Sequence, residues 1–305
     1  MSPVIFWFRN DLRLRDNPGL SRAADSGRPV VALFVLDEES SGMRPLGGAL
    51  KWWLHRSLAA LEESLSSTGA KLVLRRGPAH DALLDVVAQT GAGAVFWNRL
   101  YSPHEIARDS EIKADLQTRG LDVHSENGSL IREPWEINTQ QGKPYFVFTP
   151  FWKAERAKGD PSSPVASPEG LAGYETAVAS DRLEDWDLLP SKPDWTVGLE
   201  EEWRPGESGA RRQLQRFLDD SLTRYATDRD MPATTGTSRL SPHLHFGEIS
   251  PRQVWHWTLE HVRRENDDED AAWSFLRELG WRDFNHNLLF HRPEMLERNL
   301  KAPFD

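Results

Sequence analysis

Along the first 130 positions, apolar residues come in short unbroken runs. Val4–Phe8 and Val30–Leu36 are the clearest, followed by 72–74 and 94–97, with Val123 in a weaker fifth. Short apolar runs of this kind fit strands buried on both faces of a parallel sheet. Between them, segments 49–65, Ala79–Thr90 and 104–119 carry apolar residues at three- and four-residue steps, which predicts helices packed over that sheet. The last helix has a marked start. Ser102-Pro-His-Glu105 is a capping box with proline in the first helical position. Residues 1–130 therefore predict an α/β doubly wound parallel-sheet domain.

From 131 to 208 the periodicity fades. Gln140-Gln-Gly-Lys-Pro144, Gly159-Asp-Pro-Ser-Ser-Pro164 and Leu189-Pro-Ser-Lys-Pro193 supply turn chemistry. This stretch reads as an inter-domain connector anchored by Trp135, Phe148, Phe151 and Trp152. From about Gly209 the helical step returns in Leu214, Phe217, Leu218, Leu222 and Tyr225. Ser250-Pro-Arg-Gln253 is a second capping box, opening a helix to about Arg264. Glu265-Asn-Asp-Asp-Glu-Asp270 reads as a solvated acidic connector, and another helix runs from about Ala271 to beyond Phe284. Residues 209–305 are expected to be all-α.

Composition narrows the function classes. A chain of 305 residues has room for two domains. Its formal net charge of −10 excludes bulk attraction to nucleic acid, so any DNA contact needs a locally basic groove. With no cysteine, disulfides, thiolate catalysis and cysteine-ligated metals are excluded. No apolar run approaches the ~18 residues of a membrane span. The chain starts directly in a strand-like run without a cleavable signal, so a cytoplasmic location is expected. Thirteen tryptophans are many. Most supply core and interface area, leaving one or two as stacking platforms or electron carriers.

Three segments hold candidate chemistry. Arg9-Asn-Asp-Leu-Arg-Leu-Arg-Asp16 follows the first strand where a dinucleotide fingerprint would stand, which argues against a standard nicotinamide dehydrogenase. It reads as a solvated loop held by salt bridges or as a polar clamp at the sheet's carboxyl edge. Thr237-Ser-Arg-Leu-Ser241 sets three hydroxyls and an arginine before a helix, with Ser241 as N-cap and Pro242 after it. Such a segment suits a pyrophosphate, and equally a plain capped helix whose Arg239 pairs with a buried acid. On the later helix, Phe275, Glu278, Trp281, Arg282 and Asn285 share an arc of roughly 120°, with Leu276 and Leu279 turned to the core. That stripe is either a pocket for a planar ligand stacked on Trp281, or a Glu278–Arg282 pair on a solvated face with Trp281 as core.

The order of the motifs adds a resemblance. Trp7-Phe-Arg-Asn-Asp-Leu-Arg-Leu-Arg-Asp-Asn17, Gly128-Ser-Leu-Ile-Arg-Glu-Pro134, Phe148-Thr-Pro-Phe-Trp152, Thr237-Ser-Arg-Leu-Ser-Pro-His-Leu-His-Phe-Gly247, Ser250 and Glu278-Leu-Gly-Trp-Arg-Asp-Phe284 together resemble the DNA photolyase/cryptochrome family, from residue 4 to residue 305. The resemblance implies an α/β antenna domain followed by an all-α FAD-binding domain, incomplete here. It implies that Tyr225, Thr237, Ser238, Arg239, Leu240, Ser241 and Phe275 bind FAD. It implies that Glu278, Leu279, Gly280, Trp281, Arg282, Asp283, Phe284 and Asn285 meet the flavin and a lesion flipped out of UV-damaged DNA.

The implied reaction is light-driven: reduced FAD passes an electron to a cyclobutane pyrimidine dimer, which splits and returns it. Trp281 would pack on the dimer and Glu278 would bond its polar edge. Glu278 favours the dimer-repairing branch, because 6-4 photoproduct enzymes and animal cryptochromes tend to carry glutamine there. Many relatives hold a folate antenna through a glutamate where this chain has Ser102, so a folate or deazaflavin antenna stays open. Family members usually run well past Asp305. The resemblance therefore implies a monomer that binds FAD and repairs DNA poorly by itself. A cryptochrome-like blue-light photoreceptor is the alternative. A nucleotide-binding α/β domain with an unrelated helical partner would make the C-terminal motifs a coincidence.

Overall fold

The computed structural model describes residues 1–266 and 269–300. Five strands, β1 (Val4–Phe8), β2 (Val30–Leu36), β3 (Leu72–Arg76), β4 (Ala94–Asn98) and β5 (Asp122–Glu126), form one parallel sheet in the order β3-β2-β1-β4-β5. Ile5 on the central strand lies opposite Val31 and Val95. Alternation sends Val4, Phe6 and Phe8 to one face with Trp52, Trp53 and Leu58, and Ile5 and Trp7 to the other with Leu83, Val86 and Ile112. Both faces are buried over β1, β2 and β4, which is why these strands read as unbroken apolar runs, whereas the edge strand β5 buries only Val123.

The covering helices are α1 (Pro18–Asp25), α2 (Gly48–Ser67), α3 (Ala79–Thr90) and α4 (Pro103–Thr118). The apolar pattern left α1 unpredicted. It is eight residues long, and its signal is Asn17 accepting from the Leu20 amide at 3.1 Å ahead of Pro18. The capping box at Ser102 is present.

Next come α5 (Phe148–Ala157), α6 (Val197–Glu202), α7 (Glu207–Asp220), α8 (Tyr225–Asp228), α9 (Ser241–His245), α10 (Pro251–Glu265) and α11 (Glu269–His291). The stretch 131–208 thus carries two complete α-helices and a 3-10 turn, Leu183–Trp186, and α7 begins at its end. Phe148 and Phe151 are buried as expected, but Trp135 is 46% exposed. The apolar pattern through Tyr225 is not one helix. α7 stops at Asp220, and a 3-10 turn, Leu222–Arg224, returns Leu222 and Tyr225 to the core of Leu214 and Phe217. Residues 267–268 of the expected acidic connector, like 301–305, lie outside the described residues, while Glu269 and Asp270 open α11.

The segment after β1 is not solvated. Arg9, Asp11, Arg13, Asp16 and Asn17 are all buried. Arg13 donates to the carbonyls of Gly247 at 2.8 Å and Gly128 at 2.7 Å, and the Leu12 amide to Phe246 O at 3.1 Å. Asp16 pairs with Arg252 at 2.9 Å. The alternating charges are the polar clamp, joining the sheet edge to the helical region. Gly247 (φ +65°) makes the closest approach, since a Cβ there would sit 2.0 Å from Asn10 O.

Candidate flavin and lesion site

A cavity of about 790 Å³ opens where α11, α8 and the 237–245 segment face the carboxyl edge of the sheet. That size suits a cofactor or drug-sized ligand. All seven residues expected to bind FAD line it: Tyr225, Thr237, Ser238, Arg239, Leu240, Ser241 and Phe275. Phe275 is fixed by Phe217 and Tyr225, with ring centroids 4.6 and 5.5 Å away. Gln213 donates to Ser238 O at 2.9 Å and holds the hydroxyl-rich turn in place. Arg239 has left-handed backbone (φ +53°). Its guanidinium lies 4.3 Å from the Trp203 ring and pairs at 3.0 Å with Glu202, an exposed acid rather than a buried one. Ser241 is not the N-cap. α9 is capped at Leu240 without a side-chain hydrogen bond, which leaves the Ser241 hydroxyl exposed on the first turn.

The expected lesion residues divide by helix face. Glu278, Leu279, Trp281, Arg282 and Asn285 line the cavity. Gly280, Asp283 and Phe284 do not: they face the 131–157 region. Gly280 packs on Trp152, Asp283 accepts from the Ile131 amide at 2.7 Å, and Phe284 sits among Phe148 and Phe151. Eight residues of helix span more than two turns, so a contiguous motif cannot all face one ligand.

Glu278 does not pair with Arg282. It pairs with Arg229 at 2.6 Å, while Arg282 donates to Ser129 O at 2.5 Å. Trp281 is 38% exposed and not core. Its ring stacks on Phe148 at 3.6 Å and 9°, so one face is braced and the indole stands at the cavity wall.

Sequence reading missed the wall contributed by the α/β domain. Asn10, Tyr101 and Ser129 line the cavity together with His245 and His286 of the helical region. Asn10 and Tyr101 follow β1 and β4, the two strands at the topological switch where ligands of doubly wound sheets bind. That rule was the available signal. The Tyr101 hydroxyl donates to Glu133 at 2.8 Å. Burial, followed by the carboxylate of Glu133, pushes its pKa up. Burial, then Arg282, pushes His286 down to about 3, which leaves a neutral imidazole.

The donor set fits FAD. Three hydroxyls, at Thr237, Ser238 and Ser241, are donors of the kind phosphate oxygens accept from, and Phe275, Leu279 and Leu289 form an apolar stretch of wall. Ser129 Oγ and His286 Nδ1 are buried without a hydrogen-bond partner. Two such orphaned atoms at one wall fit a polar ligand that would satisfy them.

A doubly wound α/β domain, a helical region and a hydroxyl- and aromatic-lined cavity between them define a two-part architecture with a ligand-sized site at the switch point of its sheet. The chain belongs to the DNA photolyase family, whose model matches residues 4–169. It is 45% identical over 304 residues to a deoxyribodipyrimidine photo-lyase of Agrobacterium fabrum, covering 100% of this chain and 62% of that protein. It is 38% identical over 306 residues to Cryptochrome-1 of Arabidopsis thaliana, covering 97% of this chain and 44% of that one. The crystal structure of a bacterial class III photolyase from Agrobacterium tumefaciens matches with a TM-score of 0.95 at 43% identity, over 100% of this chain and 62% of that chain. The chain thus spans less than two thirds of these relatives' length. No helix among the described residues is long and apolar enough to cross a membrane.

Proposed function

We propose that the cavity holds FAD and that the chain serves light-dependent repair of cyclobutane pyrimidine dimers in UV-damaged DNA, as a cytoplasmic monomer. In this reading 1–130 is the antenna-type domain, 131–208 the connector and 209–305 the flavin-side helical region. The supporting observation is convergence. Tyr225, the 237–241 hydroxyls and Phe275 share one cavity with Glu278, Trp281, Arg282 and Asn285.

Bound there, FAD supplies the light-driven one-electron reduction that splits the dimer. The protein's own part is binding and orientation. Thr237, Ser238 and Ser241 hold phosphate oxygens. Phe275 and Leu279 exclude water from the apolar wall. Trp281, braced from behind by Phe148, offers a flat face to a flipped pyrimidine. Arg229 fixes the Glu278 carboxylate toward the polar edge of that base. Ser102 is committed to the α4 cap, so a folate antenna, where one binds, is held by other residues.

The test is binding by the 305-residue chain. FAD titration should give saturable quenching of flavin fluorescence, weakened at least ten-fold by Phe275→Ala. An oligonucleotide carrying a thymine dimer should bind more tightly than its undamaged copy. Trp281→Ala should remove that preference, because one base–indole stack contributes about 1–3 kcal/mol, on the order of ten-fold or more. Equal affinity for both oligonucleotides would defeat the repair reading and favour a cryptochrome-like photoreceptor.

A further inference from the structure

We propose that a second cavity, of about 480 Å³, where α7 and α10 meet the segment after β1, binds a small aromatic polyanion of the nucleotide class. It shares no lining residue with the first cavity, and the inference does not rest on the flavin reading.

Three arginines line it: Arg15, Arg211 and Arg212. The chain carries 47 acidic residues against 37 basic ones, so a surface arginine readily finds a carboxylate. Arg22, Arg56, Arg76, Arg119 and Arg224 all do. Among the described residues, the guanidinium groups of these three have no ion pair. The two acids in the same wall are hydrogen-bonded to other groups. Glu207 accepts from the amides of Leu14 at 2.8 Å and Arg15 at 3.2 Å. Glu248 accepts from Trp53 Nε1 at 2.9 Å and the Gly206 amide at 2.7 Å, and pairs with His243. The lining thus sets three guanidinium groups against two carboxylates, an excess of cations in a protein of net charge −10. Clustered guanidinium forks are the groups that bind phosphate or carboxylate in two-pronged fashion.

The same cavity has a ring platform. Trp257 is half-buried in its wall, and the Arg211 guanidinium carbon lies 5.9 Å from the indole centroid. An indole flanked by a guanidinium suits a planar heterocycle lying on the ring with its anionic group on the arginines. The volume admits a mononucleotide. The wall also draws on Ser64 of α2 and Ser167 of the 131–208 stretch. A ligand there would bridge the α/β domain, the 131–208 stretch and the helical region, and would stabilise the fold by mass action.

The probe is magnesium-free ATP added to the 305-residue chain, followed by calorimetric titration and by thermal melting. The expected result is saturable one-to-one binding with a rise in Tm. Arg211→Gln with Arg212→Gln should weaken it at least ten-fold, and Trp257→Leu several-fold. The paired lysine variant should retain part of it, which separates lost charge from lost folding. Phe275→Ala, in the first cavity, should not lower it. Absence of saturable binding, or loss in Phe275→Ala with retention in the glutamine pair, would overturn the site. Inorganic pyrophosphate binding as tightly as ATP would overturn the aromatic part, and an undamaged oligonucleotide displacing ATP at lower concentration would assign the cations to a DNA strand instead.

Discussion

At the scale of single residues, Asp283 shows how position on a helix decides chemistry. Its neighbour Arg282 faces the cavity, whereas Asp283 is 3% exposed and accepts from the Ile131 and Arg132 amides at 2.7 and 3.3 Å. Burial, only partly offset by Arg282, pushes its pKa up to about 8 from 3.8. Glu155, facing the same region from α5, is pushed by burial to about 7 despite its pairing with Arg132. A carboxyl whose folded pKa lies above its unfolded one binds its proton more tightly when folded. Its contribution is full below the unfolded pKa and is lost as pH rises through the folded value. Stability should therefore fall between about pH 4 and about pH 8. Asp283→Asn keeps an acceptor for the Ile131 amide and removes one titration, so its urea midpoint should depend less on pH than the parent's. Parallel slopes for the two proteins would show that Asp283 is already ionised in the fold.

At the scale of elements, α11 is a two-faced partition. Sequence spacing separated the faces correctly for Phe275, Glu278, Trp281, Arg282 and Asn285, because the 3.6-residue period fixes direction. The family motif, taken as a block, could not do this and swept in Gly280, Asp283 and Phe284. Partners across space were illegible altogether. Arg229 meets Glu278 from 49 positions away, and nothing local to α8 announces it. Gly280 has a packing role instead. A Cβ there would lie 2.4 Å from the Trp152 ring. That ring is held by Phe148 at 6.3 Å and Trp255 at 6.0 Å, so it cannot swing aside freely. Gly280→Ala should cost about 1–3 kcal/mol through overpacking. In a thermal melt that is a fall of several degrees, at roughly 2–4 °C per kcal/mol. An unchanged Tm would mean that α5 yields.

At the scale of the whole molecule, the sheet was readable because β1, β2 and β4 are buried along their whole length and say so in their own residues, while the edge strand β5 offers only Val123. The joint between the sheet and the helices was not. Alternating arginines and acids look solvated when their partners are hundreds of positions away, as Ser250 is from Asp16 by 234. In the fold Asp16 is fully buried and left-handed at φ +50°. It accepts from the Ser250 hydroxyl, from Arg252 at 2.9 and 3.2 Å, and from the Val165 amide at 3.1 Å. One carboxylate thus joins the segment before α1, the 131–208 stretch and the start of α10. Asp16→Ala strands the Arg252 guanidinium, whose side chain is 12% exposed, and a buried charge left without its partner costs about 3–5 kcal/mol. Because the lost contacts lie between parts of the fold, the expected outcome is more than a lower Tm. The sheet and the helical region should cease to melt together, with tryptophan fluorescence and far-ultraviolet dichroism giving separate midpoints. Asp16→Asn, which keeps acceptors for Ser250 and Val165 but loses the charge, should fall between parent and alanine variant. A single unshifted transition in Asp16→Ala would place the coupling in the other contacts of the joint, those of Leu12, Arg13, Glu207 and Glu248.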